Sequence, residues 1–289
     1  MPELPEVETV ANGVDARIRG ERIEQVWFGS KPEPFKTDTK AMAAALEGAH
    51  IAGVRRVGKH IVFDLQNRPR HTDDSVTGPQ WIVHLGMTGR LLVVEPEVAR
   101  PPHTHAVLSL SSGRELRFVD ARRFGRLALF APPPVALAEE ARAQGSGFQG
   151  PGREPLTISP EDFAALFAGR KLAIKAALLN QSLLHGVGNI YADESLFRAG
   201  IRPSTPAGKL SRVRLVRLHT ALQQVLRSAI ALGGSSVSDY VDAAGVRGFF
   251  QLEHRVYGRT GQPCLVCGRP VRRSVIGGRS THACGRCQR

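Results

Sequence analysis

The chain has 289 residues, 42% of them hydrophobic, enough to build the cores of one large domain or two ordinary ones. Lys and Arg number 39 against 26 Asp and Glu, a formal charge of +13 that calls for a polyanionic partner, nucleic acid first. A membrane protein is disfavoured, because no apolar run approaches about 18 residues and no basic amphipathic helix stands out.

The opening MPELPEVETV has neither the basic start nor the apolar run of a secretory signal, so a cytoplasmic protein is expected. If Met1 is removed, as is usual before a small residue, Pro2 becomes a terminal secondary amine beside Glu3. Leu4, Val7, Ala11, Val14 and Ile18 recur at steps of three and four, which predicts an amphipathic helix over 4–18 with Pro5 in its first turn. Strands are predicted at 22–28, 60–65, 80–85, 90–94 and 105–118, the last folded back at SLSSGREL. A half that is mostly strands after one helix suggests a β-sandwich. The Pro/Gly-rich stretch 131–160 suits a linker, and the loop 67–79 carries no functional reading.

Beyond it the pattern turns helical. SPEDFAALFAG opens with Ser159 as N-cap and Pro160 at the first position, and a long helical run follows from Leu210 to a Gly-Gly stop. The predicted fold class is α+β and multidomain, with a β-sandwich domain over 1–135, a linker over 136–155, a helical domain over 156–254 and a zinc finger over 255–289.

All four cysteines lie in the last 26 residues: Cys264, Cys267, Cys284 and Cys287 form two C-x2-C pairs sixteen residues apart. Two tight knuckles delivering four thiolates suit one structural zinc ion, and a leaderless chain argues against disulfides. The same segment holds six arginines and no acid, either a solvated basic tail or a contact to phosphates. Arg279 falls on the hairpin between the cysteine pairs. In GVGN, Gly186 and Gly188 with Asn189 sit between two helical patterns, so helix-start amides are expected to face an anion, with Lys171 and Lys175 adding charge. An ordinary helix–helix turn is the alternative. RRVGKH around Lys59 and DARRFGR with Arg122, Arg123 and Phe124 are further basic spots. By residue type alone Phe124 reads as core rather than wedge, and Met87 as a gap filler. His103 and His105 are spaced to share a strand face, but no third ligand for a metal lies nearby.

PELPEVETV, LGMTGRL, DARRFGR, GVGNIYADESLFRAGIRP, VYGRTGQPC and the four cysteines, in that order along nearly the whole chain, resemble the formamidopyrimidine-DNA glycosylase family. The resemblance implies a helix-two-turn-helix arrangement in the helical domain and a monomeric repair enzyme. Such an enzyme removes 8-oxoguanine and formamidopyrimidines from double-stranded DNA and nicks the strand. It further implies Pro2 as nucleophile, Glu3 as acid, Lys59 assisting β-elimination and Arg279 assisting δ-elimination. His103, Arg122, Lys171 and Asn189 fall on phosphate-binding positions, with Lys175 a weaker candidate. Met87, Arg122 and Phe124 match the trio that fills the gap left by a flipped base. His282 stands where an aromatic is expected, which makes it a candidate extra DNA contact.

Two other readings compete. An endonuclease VIII-like enzyme for oxidised pyrimidines is disfavoured by the PELPEV opening and the full-length segment 233–251. A non-catalytic zinc-ribbon binder has no need of Pro2, Glu3 and Lys59 together.

Overall fold

The structure is a computed structural model that describes residues 1–66, 78–130, 147–237 and 240–289. Most of the loop expected at 67–79, and residues 131–146 of the expected linker, lie outside that set. The chain forms two compact units. The first comprises Met1–Pro2, Glu6–Gln149 and Ser236–Gly248, and the second Glu3–Pro5, Gly150–Ser235 and Phe249–Arg289.

The chain opens with α1 (Leu4–Ile18), the helix that the spacing predicts. In the first unit Val7, Val10, Ala11, Val14 and Ile18 bury its apolar face. Eight strands follow: β1 (Ile23–Phe28), β2 (His50–Val57), β3 (His60–Gln66), β4 (Gln80–His84), β5 (Arg90–Val94), β6 (Thr104–Leu110), β7 (Glu115–Val119) and β8 (Arg126–Phe130). They make two four-stranded antiparallel sheets, ordered β1-β6-β7-β5 and β2-β3-β4-β8. Both sheets feed one core in which Phe63, Trp81, Leu108 and Phe118 are fully buried. Each such side chain contributes roughly 1.5–3 kcal/mol of transfer free energy.

The turn predicted at SLSSGREL joins β6 to β7, with Gly113 in the left-handed region. Helix α2 (Thr39–Leu46) and strands β2 and β8 were not legible as such. Yet Asp38 caps α2 by accepting from the Lys40 and Ala41 amides. In β2 a glycine and two arginines dilute the alternation. Those arginines are engaged within the fold, Arg55 on Asp64 at 2.9 Å and Arg56 on Glu8 of α1, so RRVGKH is not the open basic spot that its composition suggests.

The second unit contains α3 (Pro160–Ala165), α4 (Ile174–Leu178), α5 (Asn189–Arg198), α6 (Arg212–Ala231) and the hairpin β9 (Arg272–Ile276) with β10 (Arg279–Ala283). Ser159 caps α3 as predicted, accepting from the Asp162 amide at 3.0 Å, and Ser211 caps α6 on the Arg214 amide. Helix α5 is buried from Ile190 through Phe197, and its Ile190, Tyr191, Ala192 and Leu196 share one core with Phe163, Phe167, Leu222 and Phe250. Among the described residues no helix is long and apolar enough to cross a membrane.

Replacing Ser211 by Ala removes the side-chain cap of a 20-residue helix. Chemical denaturation should show a loss of about 1 kcal/mol; an unchanged midpoint would show that solvent caps this helix equally well.

Candidate active site

In the second unit, α5 begins at the GVGN motif, and an amide of its first turn faces a carboxylate of the chain itself. The Ile190 amide donates to Glu3 Oε1 at 3.2 Å, and Glu3 is 5% exposed. The partial positive charge of a helix start favours an anion there. Both glycines make room for this segment. A Cβ at Gly188 would lie 2.1 Å from Glu3 Cδ, and one at Gly186 would lie 2.9 Å from the Leu4 side chain. The Leu4 amide also donates to the Gly186 carbonyl at 3.0 Å. The expectation of helix-start amides open to an external phosphate is therefore corrected: Glu3 takes that place.

Lys175 is corrected too. It is fully buried, with its ammonium 2.6 Å from Asp193 and 2.6 Å from the Ser280 carbonyl of β10. Burial pushes this lysine below its ordinary pKa, against the pull of Asp193 and Glu3. An ammonium held this way is not presented to a DNA phosphate. His282 is likewise buried, its amide donating to Asp193 at 2.9 Å and its Nδ1 3.1 Å from the same oxygen, so it is not an extra DNA contact. Asn189 Nδ2 donates to the carbonyl and hydroxyl of Ser280. Lys171 is exposed just ahead of α4, and Arg279 is exposed where the Gly277-Gly278 turn enters β10.

The four cysteine sulfurs lie within 4.8 Å of one another, with Cys264–Cys287 at 3.9 Å and Cys267–Cys284 at 3.4 Å. Zn–S bonds of about 2.3 Å in a tetrahedron need sulfurs about 3.8 Å apart. The set fits one structural zinc ion. Helix α5 anchors the module around it. Asp193 holds β10, and Glu194 accepts from the Arg255, Val256 and Tyr257 amides at 2.9–3.0 Å. Gln288 ties the second knuckle to the Ile201 carbonyl. Arg269, Arg272, Arg273, Arg279, Arg286 and Arg289 are all exposed on the same module.

In the first unit Pro2 is buried and Lys59 is half-buried in the β2–β3 turn. Met87 and Phe124 are 39% and 53% exposed, so Phe124 is not a core residue. The Arg122 guanidinium stacks 4.7 Å from the Phe124 ring centroid. A cavity of about 590 Å³ runs along Glu33, Lys36 and residues 122–126. His103 and His105 do not share a strand face. His103 precedes β6 with φ 64° and is exposed, whereas His105 is buried with Nε2 2.9 Å from the Asp120 carbonyl.

Residues 1–127, 151–241 and 261–289 match, respectively, the formamidopyrimidine-DNA glycosylase N-terminal domain, its H2TH domain and a zinc finger found in FPG and IleRS. The formamidopyrimidine-DNA glycosylase of Solibacter usitatus is 44% identical over the whole of both chains. The chain belongs to the formamidopyrimidine-DNA glycosylase family. A second member, from Geobacillus kaustophilus, is 41% identical with both chains covered in full. Among solved structures, the family's MutM (FPG) protein from Thermus thermophilus is 40% identical with a TM-score of 0.80, covering 99% of this chain and 98% of that one. A Lactococcus lactis FPG mutant in complex with Fapy-dG-containing DNA is 30% identical with a TM-score of 0.84, covering 99% of each chain.

Sequence reasoning passed over His84, which sits at the end of β4 with its ring 5.0 Å from that of His60. Its Nδ1 accepts the Gly86 amide at 3.1 Å, one residue before Met87. Burial, then the charges of His60, Arg126 and Lys59, lower its pKa to about 4. The only signal in sequence is a histidine closing an apolar strand. Asp193 and Glu194 were also missed, because acids inside a helical pattern normally read as its solvent face.

Replacing Lys175 by Met should cost about 3–5 kcal/mol in denaturation of the zinc-loaded protein, since Asp193 loses its buried partner. A loss under 1 kcal/mol would mean that His282 alone suffices. The His84 ring should titrate near pH 4 by NMR. Its folded pKa lies below the unfolded one, so it adds stability above about pH 6.5 that is lost as pH falls toward 4. A midpoint near 6.5 would contradict the buried, neutral ring.

Proposed function

We propose that this protein excises oxidised purines from duplex DNA through a Schiff base on Pro2 and then cuts the strand by β- and δ-elimination. The observation that carries the reading is the seat of Glu3: the residue after Pro2 is an acid buried against the first turn of α5, where Gly188 leaves it room. The solved complexes of relatives hold DNA with Fapy-dG or an abasic site, and that substrate class is transferred here.

Removal of Met1 frees the Pro2 nitrogen, and an α-amino group of ordinary pKa, about 8, retains a neutral fraction near pH 7. Its lone pair attacks C1′. The bond from C1′ to the base breaks, and the base leaves with its electron pair while Glu3 supplies a proton to the sugar or leaving group. The C1′–O4′ bond then opens, its electron pair and a proton going to O4′, and the nitrogen lone pair forms an iminium to C1′, which acidifies C2′–H. Loss of that proton ejects the 3′ phosphate, and a second elimination ejects the 5′ phosphate, with Lys59 and Arg279 assisting in turn. Hydrolysis of the imine returns the amine.

His103, Arg122, Lys171 and Asn189 contact phosphates in this reading, and the exposed arginines of the zinc module add sequence-independent grip. Met87, Arg122 and Phe124 fill the space left by the extruded base. Their exposure supports that role, since a wedge must reach a base stack. The zinc ion holds the hairpin and takes no part in bond making. The protein acts as a monomer in the cytosol, where four cysteines stay reduced.

The test is borohydride trapping on a duplex with 8-oxoguanine opposite cytosine, beside a dihydrouracil duplex and a Pro2-blocked protein. An adduct on 8-oxoguanine that vanishes with the block is expected. An adduct confined to dihydrouracil would move the reading to oxidised pyrimidines, and binding without any adduct would leave a non-catalytic binder. Gly188→Ala, which displaces Glu3, should slow trapping by about a hundredfold with zinc retained, the scale for a misplaced group.

A further inference from the structure

Asp120, the acid that opens DARRFGR, is fully buried in the first unit and has no part in the chemistry above. Its side chain is nonetheless bonded to two turns that carry the gap-filling residues. Oδ1 accepts the Thr88 hydroxyl at 2.6 Å, one residue after Met87, and the Arg122 amide at 3.3 Å. Oδ2 accepts the Gly125 amide at 2.7 Å, one residue after Phe124. The backbone of Asp120 reaches a third segment, donating to the His103 carbonyl at 3.0 Å and accepting from His105 at 2.9 Å.

The two turns also touch directly. A Cβ on Gly86, whose φ is 62°, would lie 2.5 Å from both Gly125 N and Phe124 C. One on Gly125 would lie 2.5 Å from the Phe118 ring and 3.1 Å from Asp120 Oδ2. Two backbones in such contact, bridged by one carboxylate, cannot shift independently without breaking bonds that burial makes costly. Within the second turn Arg123 is held at φ 57°, a left-handed conformation that a non-glycine residue keeps only where its surroundings fix it.

We propose that Asp120 is a positioning residue that locks the Met87 turn and the Arg122–Phe124 turn into a single wedge, so that both enter the base stack as one body. This rests on the function proposed above. A carboxylate is required because the two amides and the hydroxyl it receives are all donors. Asparagine offers one oxygen and an NH2 group that would meet a donor amide head-on. The lock serves extrusion of a stacked base and is idle at an abasic site, where no base need be displaced.

The experiment compares wild type, Asp120→Asn and Thr88→Val as zinc-loaded full-length proteins. Single-turnover excision is measured on 8-oxoguanine opposite cytosine and nicking on a preformed abasic site in the same duplex. The fluorescence of 2-aminopurine beside the lesion reports unstacking. Asp120→Asn should lower excision by about tenfold or more and slow the fluorescence rise in step, the scale for loss of a charge-assisted hydrogen bond. Abasic nicking should stay within about twofold, well below that scale. Thr88→Val keeps the carboxylate and removes only the Met87 link, and should give a smaller loss with the same split. Equal losses on both substrates would assign Asp120 to general stability and overturn the proposal, as would unchanged excision in both variants. If Asp120→Asn does not fold, Thr88→Val decides by the same split. Wild type that fails on 8-oxoguanine would instead overturn the functional reading.

Discussion

Helix α5 is surrounded by apolar side chains, yet its sequence places Asp193 and Glu194 in its middle, both at zero exposure. Charges in such a setting persist only with partners, and the partners determine what α5 holds. Asp193 is satisfied by the Lys175 ammonium and the His282 amide, which fixes β10 against the helix. Glu194 is satisfied by three consecutive amides ahead of the first cysteine knuckle. A zinc module too small to own a core thus borrows one. Its arginine-bearing turn is positioned by the helix as well as by the metal.

The start of the same helix has a different task. With Gly188 as N-cap and no side-chain cap, its amides are left for a ligand. Glu3 supplies the carboxylate, and Gly186 and Gly188 supply the space. A motif that looks built for an external phosphate is instead built for the chain's own third and fourth residues, Glu3 and Leu4. The general rule that helix starts attract anions holds; what it cannot specify is which anion arrives.

A parallel logic runs through the first unit. Asp120 gathers donors from turns distant in sequence, while Gly86 and Gly125 let those turns meet backbone to backbone. Exposed Met87, Arg122 and Phe124 therefore stand on a rigid base. In both units a buried carboxylate collects backbone amides and so converts loops into fixed platforms, and glycines mark the points of closest approach.

Much of this was open to reading from the sequence. The period of three to four residues gave α1 its bounds, Ser159 and Pro160 gave the start of α3, and paired C-x2-C spacing gave the zinc site. These signals are local: dihedral preference, capping and ligand spacing act within a few residues. The family followed from ordered motifs along nearly the whole chain. What only the tertiary structure decided was the use of each charged group. Lys175, His282 and Arg56 read as surface charge or DNA contacts but are bonded within the protein, and Phe124 reads as core but is exposed. The reason is that a side chain's partner is set by contacts distant in sequence. Asp193 meets residue 282 and Asp120 meets residue 88 only once the helices and sheets have packed.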